Sequence, residues 1–491
     1  MVFKQLFLLL GRVILFYSSI VLFFMAVVWL SFGLEAMYPF LYTFLLSFVV
    51  SLILFGFSSN NSKEIVTFRE AIGVTVSAWI IISLFSALPY YFSGSIFNLV
   101  DCIFESVSGL TTTGASIIPD KEVITQSILL WRSFTQFIGG GGIIMVSVIV
   151  LPGLGLTASR LINSESYTVT GENMMPRIMD IAKRILIIYT LLNVILVILL
   201  LAGGMNLFES VTHAFGTIAT GGFSPLNSSI GTYSKNGSES ALYFEIVIII
   251  FMFLGATPFL LHYGVFHGRI SAYFKDAQFK FFSTIFILFI LMVTFSLYSN
   301  GIYSTFGESL RHGSFAVASL FSTTGYGTED FSLWPAASRL ILIMAMFIGG
   351  CTGSAAGGIK AMRTMIALKD CITAVRQTVH PDQIYPMKLG NIAVSLHEKK
   401  SIYTFIMIYF LFYLLGVMCV AAGENDLETI ISSVIACLSG VGPGTTGLIS
   451  PLGNYSTLQT SSKISLCFMM LLGRVEILPF VAFFLRRFWT K

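Results

Sequence analysis

The sequence predicts an all-α polytopic membrane protein: four span–pore-helix–loop–span repeats around a pseudo-fourfold pore, plus an N-terminal two-helix hairpin. Three observations carry that prediction. The chain is poor in charge and rich in apolar residues. Its apolar runs are long enough to cross a bilayer ten times. Four Gly-containing loops between those runs resemble one another.

Composition excludes most alternatives at once. The 491 residues are 55% hydrophobic and 11% charged, with 46 Phe and a mean hydropathy of +0.86. A soluble domain carries about 25% charged residues, so this chain has too little charge to clothe a globule. A soluble enzyme, a nucleic-acid binder and a disordered chain are excluded, and the net charge of +4 gives no sign of a nucleic-acid partner. The six cysteines show no C-x-x-C spacing and no adjacent histidine, so neither a zinc site nor a disulfide framework is indicated. The six histidines are scattered, and no catalytic signature is present, so the chain reads as no enzyme. The 43 Gly fit a plain helical bundle poorly, because many are clustered.

A spanning helix needs about 20 mostly apolar residues. Such runs lie at 5–31, 39–57, 71–93, 128–151, 184–203, 241–266, 279–300, 336–359, 402–423 and 464–486. The first is too long for a signal-peptide core and lacks an A-x-A site, so it counts as a span. An even number of spans puts both termini on one side. Of the 28 Lys and Arg, 21 fall on that side, six on the other (Lys121, Arg132, Lys235, Arg311, Arg339 and Lys463), and Arg474 inside the last span. Cytoplasmic loops carry the excess of Lys and Arg, so both termini are expected in the cytoplasm.

This orientation sends four long loops outward, at 94–127, 204–240, 301–335 and 424–463. Each opens with an apolar stretch too short to cross, then a Gly-containing turn: FNLVDCIFESVSGLTTTGAS, NLFESVTHAFGTIATGGFS, SLRHGSFAVASLFSTTGYGT and DLETIISSVIACLSGVGPGT. Aligning Gly114, Gly221, Gly325 and Gly442 gives separations of 107, 104 and 117 residues. A recurring unit of this kind decides the fold. The expected divisions are a hairpin at 1–65 and repeats at 66–158, 159–268, 269–398 and 399–491, the third with a cytosolic segment.

Irregular backbone survives at membrane depth only where it is buried in protein or lines water. Four re-entrant loops meet that condition together by converging on one axis, where their carbonyls stack as rings. Carbonyl rings that replace an ion's hydration shell make potassium filters, for which the string T-V-G-Y-G is the standard case. Thr323-Thr324-Gly325-Tyr326-Gly327 comes near it, and glycine supplies the positive φ that turns carbonyls inward. The short helices would aim their negative ends at the axis. Asp101, Glu105, Glu209, Glu308, Asp426 and Glu428 lie near their starts, where helix polarity favours acids.

FESVSGLTTTGAS, ATGGFS, STTGYGT and GVGPG, in that order, resemble the Trk/Ktr/HKT superfamily of potassium transporters, and within it the bacterial TrkH/TrkG branch. The likeness runs from about residue 66 to the end, and the extra hairpin suits the TrkH type. The resemblance implies potassium uptake across the bacterial inner membrane, with potassium as bound substrate and no other cofactor. It places filter carbonyls on Thr112, Thr113 and Gly114; Ala219, Thr220 and Gly221; Thr323, Thr324 and Gly325; and Gly440, Val441 and Gly442. Only the third loop keeps the full string. The resemblance further implies a homodimer with one pore per subunit and a cytosolic TrkA-like nucleotide-binding regulatory ring.

Two further features concern gating. Gly349, Gly350, Gly353, Gly357 and Gly358 crowd one stretch of the eighth span. Close packing through small residues is one explanation. Each glycine costs a helix about 1 kcal/mol relative to alanine, which favours a non-helical stretch, and the resemblance makes it an intramembrane gating loop. Arg474 lies about ten residues into the last span, near mid-depth. A charge there faces the interior and needs a partner. Either it bonds Glu476 or a loop carbonyl, or it is a fixed positive charge below the filter that holds the gate. The basic segment 360–400 suits anionic membrane lipid or the regulatory ring. A proton- or sodium-coupled secondary cation symporter is the alternative. It predicts inverted repeats and intramembrane carboxylates, whereas these repeats share one orientation and only Glu245 and Glu476 are candidates.

Overall fold

The computed structural model describes residues 2–57, 68–149, 174–383, 388–389 and 392–489. The expected divisions at 65/66 and 158/159 and the end of the fourth apolar run at 150–151 lie outside those residues. The regular structure of the described chain is helical apart from one short antiparallel pair of strands, Lys388–Leu389 with Ile392–Ala393.

The chain opens with two long apolar helices, Val2–Phe32 and Leu34–Gly56, hinged at Gly33, whose φ is 89°. They pack against each other and against the first repeat. Leading spans of the four repeats follow at Phe68–Phe92, Met174–Ala202, Ala277–Ser299 and Leu396–Ala421. Their outer faces stay apolar where no protein covers them: Leu411, Leu414 and Met418 are exposed on the last. That is the surface expected of a helix solvated by hydrocarbon.

Each leading span is followed by a short helix: Leu99–Leu110, Leu207–Ile218, Phe306–Phe321 and Leu427–Leu438. All four start on a side-chain cap, from Asn98, Asn206, Thr305 or Asp426, that accepts a backbone N–H of the first turn. Trailing helices begin at Gln126, Ala241, Ala336 and Thr460. Each packs against the short helix of the next quarter, and the fourth returns to the first (Thr460–Arg474 on Leu99–Leu110). The quarters therefore close into a ring rather than a row.

The trailing spans differ from the uninterrupted runs expected. The run 241–266 is two helices, Ala241–Gly255 and Phe259–Phe266, bent by 106°, and 464–486 is likewise two, Thr460–Arg474 and Ile477–Phe484, bent by 115°. The third trailing helix stops at Ile348, and helix resumes only at Ala361. In the first quarter the helix Gln126–Ile149 runs unbroken through Gly139–Gly142. Pro258 explains one bend, since proline removes an N–H and clashes with the preceding turn. The other falls at Glu476, a non-glycine residue held at φ 71°.

Phe253-Leu254-Gly255, Phe347-Ile348-Gly349 and Leu471-Leu472-Gly473 lie at these breaks, and Phe137-Ile138-Gly139 occupies the matching place in the unbroken first helix. A Cβ on Gly139 would overlap the Leu110 carbonyl, and one on Gly473 the Leu438 carbonyl. Gly473→Ala is therefore expected to lower stability by about 1–3 kcal/mol, as overpacking does. Gly142→Ala, where the nearest atom is Trp79 Cζ2 at 3.7 Å, should be neutral or stabilising. Thermal unfolding of both in detergent checks the contrast.

Candidate functional site

The four short helices end alike. The residue after each cap has positive φ: Thr112 51°, Thr220 53°, Thr323 59° and Gly440 68°. The next residue bonds back five positions, Thr113 N–H to Ser108 O, Gly221 to Gly216, Thr324 to Ser319 and Val441 to Ala436. This is the Schellman ending, in which a left-handed residue reverses the chain, usually as glycine. Three threonines fill that place, at about 1–2 kcal/mol each for a non-glycine residue. Backbone strain of this kind is held by its surroundings and concentrates at functional positions.

A glycine with φ between 76° and 95° comes two residues later in every loop: Gly114, Gly222, Gly325 and Gly442. A Cβ on Gly114 would overlap Gly221 O, on Gly222 Thr324 O, on Gly325 Val441 O, and on Gly442 Thr113 O. Each glycine thus admits a carbonyl of the following quarter, and the fourth contact returns to the first. The site is a closed ring of backbone.

That ring corrects the alignment of the second loop by one residue. Gly222, not Gly221, is equivalent to Gly114, Gly325 and Gly442, and Gly221 takes the place of Thr113, Thr324 and Val441. Ala219 falls on the helix caps Thr111, Ser322 and Ser439, and its carbonyl accepts the Thr220 hydroxyl at 2.7 Å. Two adjacent glycines hide the register in sequence, where either matches the pattern. Backbone angle separates them.

Above the ring, Gly114, Ser116, Gly222, Gly325, Pro443 and Tyr455 line a narrow mouth. Lys121 also faces it. Burial first, and the Arg132 charge second, draw its ammonium pKa down to about 8, with Glu105 opposing. Behind the ring lies an ion pair that sequence reasoning missed. Glu105 sits in the second turn of its helix, fully buried, and accepts Arg132 Nε at 2.7 Å and Ile117 N–H at 2.8 Å. Arg132, counted with the outer-side charges at the start of the run 128–151, is 1% exposed inside its span. Its guanidinium also reaches Ser224 O and lies 4.1 Å over the Phe223 ring. The equivalent places in the other quarters, seven residues before the break glycine, are the buried Ile248, Leu342 and Leu466. Arg132→Leu should cost about 3–5 kcal/mol by stranding Glu105. Removing both charges together should cost less, and thermal unfolding of the single and double variants reads the difference.

The glycine-rich stretch is a compact loop at 349–360. Its residues bond outward to three neighbours: Cys351 N–H to Ala256 O, Ala355 N–H to Gly255 O, and Gly357 N–H to the Thr323 hydroxyl at 2.9 Å. A Cβ on Gly357 would overlap Ser439 O. Gly349, Gly353 and Gly358 have φ of 65°, 83° and 79°, and Gly350 packs on Ala256 and Ala356. The loop thus lies directly against the third and fourth ring segments.

Arg474 is 6% exposed and holds this loop. It donates to Ala355 O at 2.7 Å and to Gly139 O at 3.3 Å, and its Nε has no partner among the described residues. Glu476 is not its partner: it binds Arg363 at 2.8 Å and Lys360 at 3.6 Å. Glu245, the other intramembrane acid, is held by Arg311 through bonds of 2.6 and 2.7 Å. At the helix starts, Asp101 pairs with Lys463 and Glu428 with Arg339. No group of three metal-ligating side chains occurs among the described residues.

Four short helices and four backbone loops closed on one axis, inside apolar spans, define a membrane pore of the cation-transport class. A family model described as a cation transport protein, TrkH, matches residues 39–490. The chain belongs to the TrkH family of cation transport proteins. It is 34% identical over 432 residues to the Trk system potassium uptake protein TrkH of Halomonas elongata, covering 87% of each chain. It is 31% identical over 452 residues to the protein of that name from Salmonella typhimurium, covering 91% of this chain and 92% of the other. The crystal structure of the potassium transporter TrkH from Vibrio parahaemolyticus superposes with a TM-score of 0.89 at 27% identity over the whole of both chains. The family consists of transport proteins, not enzymes.

Proposed function

We propose that this chain takes up potassium across the bacterial inner membrane through a filter of backbone carbonyls. The observation that carries the reading is the closed ring in which four glycines each accommodate a carbonyl of the next quarter. Around it the oxygens of Thr112, Thr113 and Gly114, Thr220, Gly221 and Gly222, Thr323, Thr324 and Gly325, and Gly440, Val441 and Gly442 supply ligands of one kind to a dehydrated cation. The four helix ends add negative potential at the axis.

In this reading the filter faces outward, both termini lie in the cytoplasm, and 349–360 is the gate, latched by Arg474. The chain is a hairpin followed by four quarters divided near residues 66, 159, 269 and 399. The names of its relatives, Trk system proteins, support a partnership with other Trk components, and we infer a homodimer and a cytosolic TrkA-like nucleotide-binding ring that acts on the gate. Rubidium uptake by purified protein in liposomes tests the core claim. Potassium should compete strongly and sodium weakly, with no imposed proton gradient needed. Uptake that requires such a gradient would instead mark a coupled symporter.

A further inference from the structure

We propose that Gln136 is a positioning residue that fixes the second filter loop and thereby sets discrimination among monovalent cations. The inference rests on the filter reading above.

The second loop lacks a support that its neighbours have. In the first loop the Thr111 and Thr113 hydroxyls bond at 2.8 Å, and in the third Ser322 and Thr324 bond at 2.7 Å. In the fourth, Ser439 bonds the Tyr409 hydroxyl at 2.7 Å. The second loop has Ala219 and Gly221 at the matching positions, with no hydroxyl at either. Glycine at Gly221 also makes this the segment with the greatest backbone freedom.

Gln136 supplies the support from outside. It is fully buried on the first trailing span, which packs against the second short helix. Its amide nitrogen donates to Gly221 O at 2.6 Å, and its amide oxygen accepts Phe223 N–H at 3.1 Å. One donor and one acceptor opposite determine the amide's orientation. Among the described residues no side chain donates to the equivalent carbonyls of Thr113, Thr324 or Val441.

The other quarters show what replaced it. Three residues before the break glycine they carry Met252, Met346 and Met470, all buried. A Cβ on Gly221 would lie 2.5 Å from Gln136 Cδ. Glutamine and glycine therefore form one matched pair, where the other quarters combine methionine with Thr113, Thr324 or Val441. Without Gln136, Gly221 O and Phe223 N–H lose their partners, and the second loop loses the brace that fixes its backbone next to the ring.

The test uses the full chain in liposomes and measures potassium against sodium competition for rubidium uptake, beside uptake rate and thermal stability. Gln136→Met should lower the potassium preference about tenfold, as two lost hydrogen bonds imply. Adding Gly221→Thr to Gln136→Met rebuilds the methionine–threonine combination of the third quarter, without its serine hydroxyl, and should restore part of the preference. Gly221→Thr alone should impair it. A merely structural role would lower stability and leave the competition ratio where it was. An unchanged ratio in a folded Gln136→Met protein, or a double variant no more selective than the single, overturns the proposal. If Gln136→Met does not fold, a folded and selective double variant supports the pairing and a folded, unselective one overturns it. An unsubstituted protein that does not discriminate would instead overturn the filter reading itself.

Discussion

Gly222→Ala should abolish selective uptake. The added Cβ meets a backbone oxygen, Thr324 O, and the φ of 76° is one that alanine adopts at a cost. Neither penalty has an escape, because both partners are backbone in a closed ring. About 1–2 kcal/mol for the left-handed angle and a further 1–3 kcal/mol for overpacking together imply about a hundredfold loss in potassium preference. The same substitution one residue earlier separates the two alignments. Gly221→Ala meets a side chain, Gln136, and should become tolerable once Gln136 is methionine, whereas Gly222→Ala should stay defective in that background. Rubidium uptake with potassium and sodium as competitors reads both. Equal tolerance at the two positions would refute the register assigned to the second loop.

Arg474→Ala should raise uptake while leaving selectivity in place. The change removes a fixed positive charge and the bond to Ala355 O that anchors the loop at 349–360. A unit charge opposes a passing cation by about 4 kcal/mol at about 4 Å and an effective dielectric of about 20, and by less at longer range. A gain of about tenfold or more in rate is therefore expected. Arg474→Lys keeps the charge but not the forked donor set, so it should retain most of the barrier and lose the latch. Uptake by the alanine variant no faster than by the unsubstituted protein would remove Arg474 from the gate. Deleting 349–358 supplies an independent check, with faster uptake and the same potassium preference expected.

Much of this architecture was legible in the chain, because bilayer thickness and backbone hydrogen bonding leave few choices. Apolar runs of the required length gave the spans, and four related loops gave the fourfold plan. The non-helical stretch at 349–360 announced itself through five glycines in ten residues. What escaped was set by partners distant in sequence. The bend at Glu476 has no local signal, since it depends on Arg363 and Lys360 more than a hundred residues away. The bend at 256–258 did have one, in Thr257-Pro258, which the strongly apolar flanks obscured. Arg132 and Glu105 look like ordinary span-end and helix-start charges until folding brings them together. Gln136 is conspicuous only beside Met252, Met346 and Met470, a comparison that needs the quarters in register.

The contact between Gly442 and the Thr113 carbonyl also constrains how the molecule is made. It joins the first quarter to the last, more than three hundred residues apart. A nascent chain that has released three quarters into the bilayer can form only two of the four junctions, and it encloses nothing. On the filter reading, the ion path is completed only when the final helices dock onto the earliest ones. Until then the membrane's permeability barrier is not at risk from a half-built channel, and a chain cut before residue 399 should be inert rather than leaky.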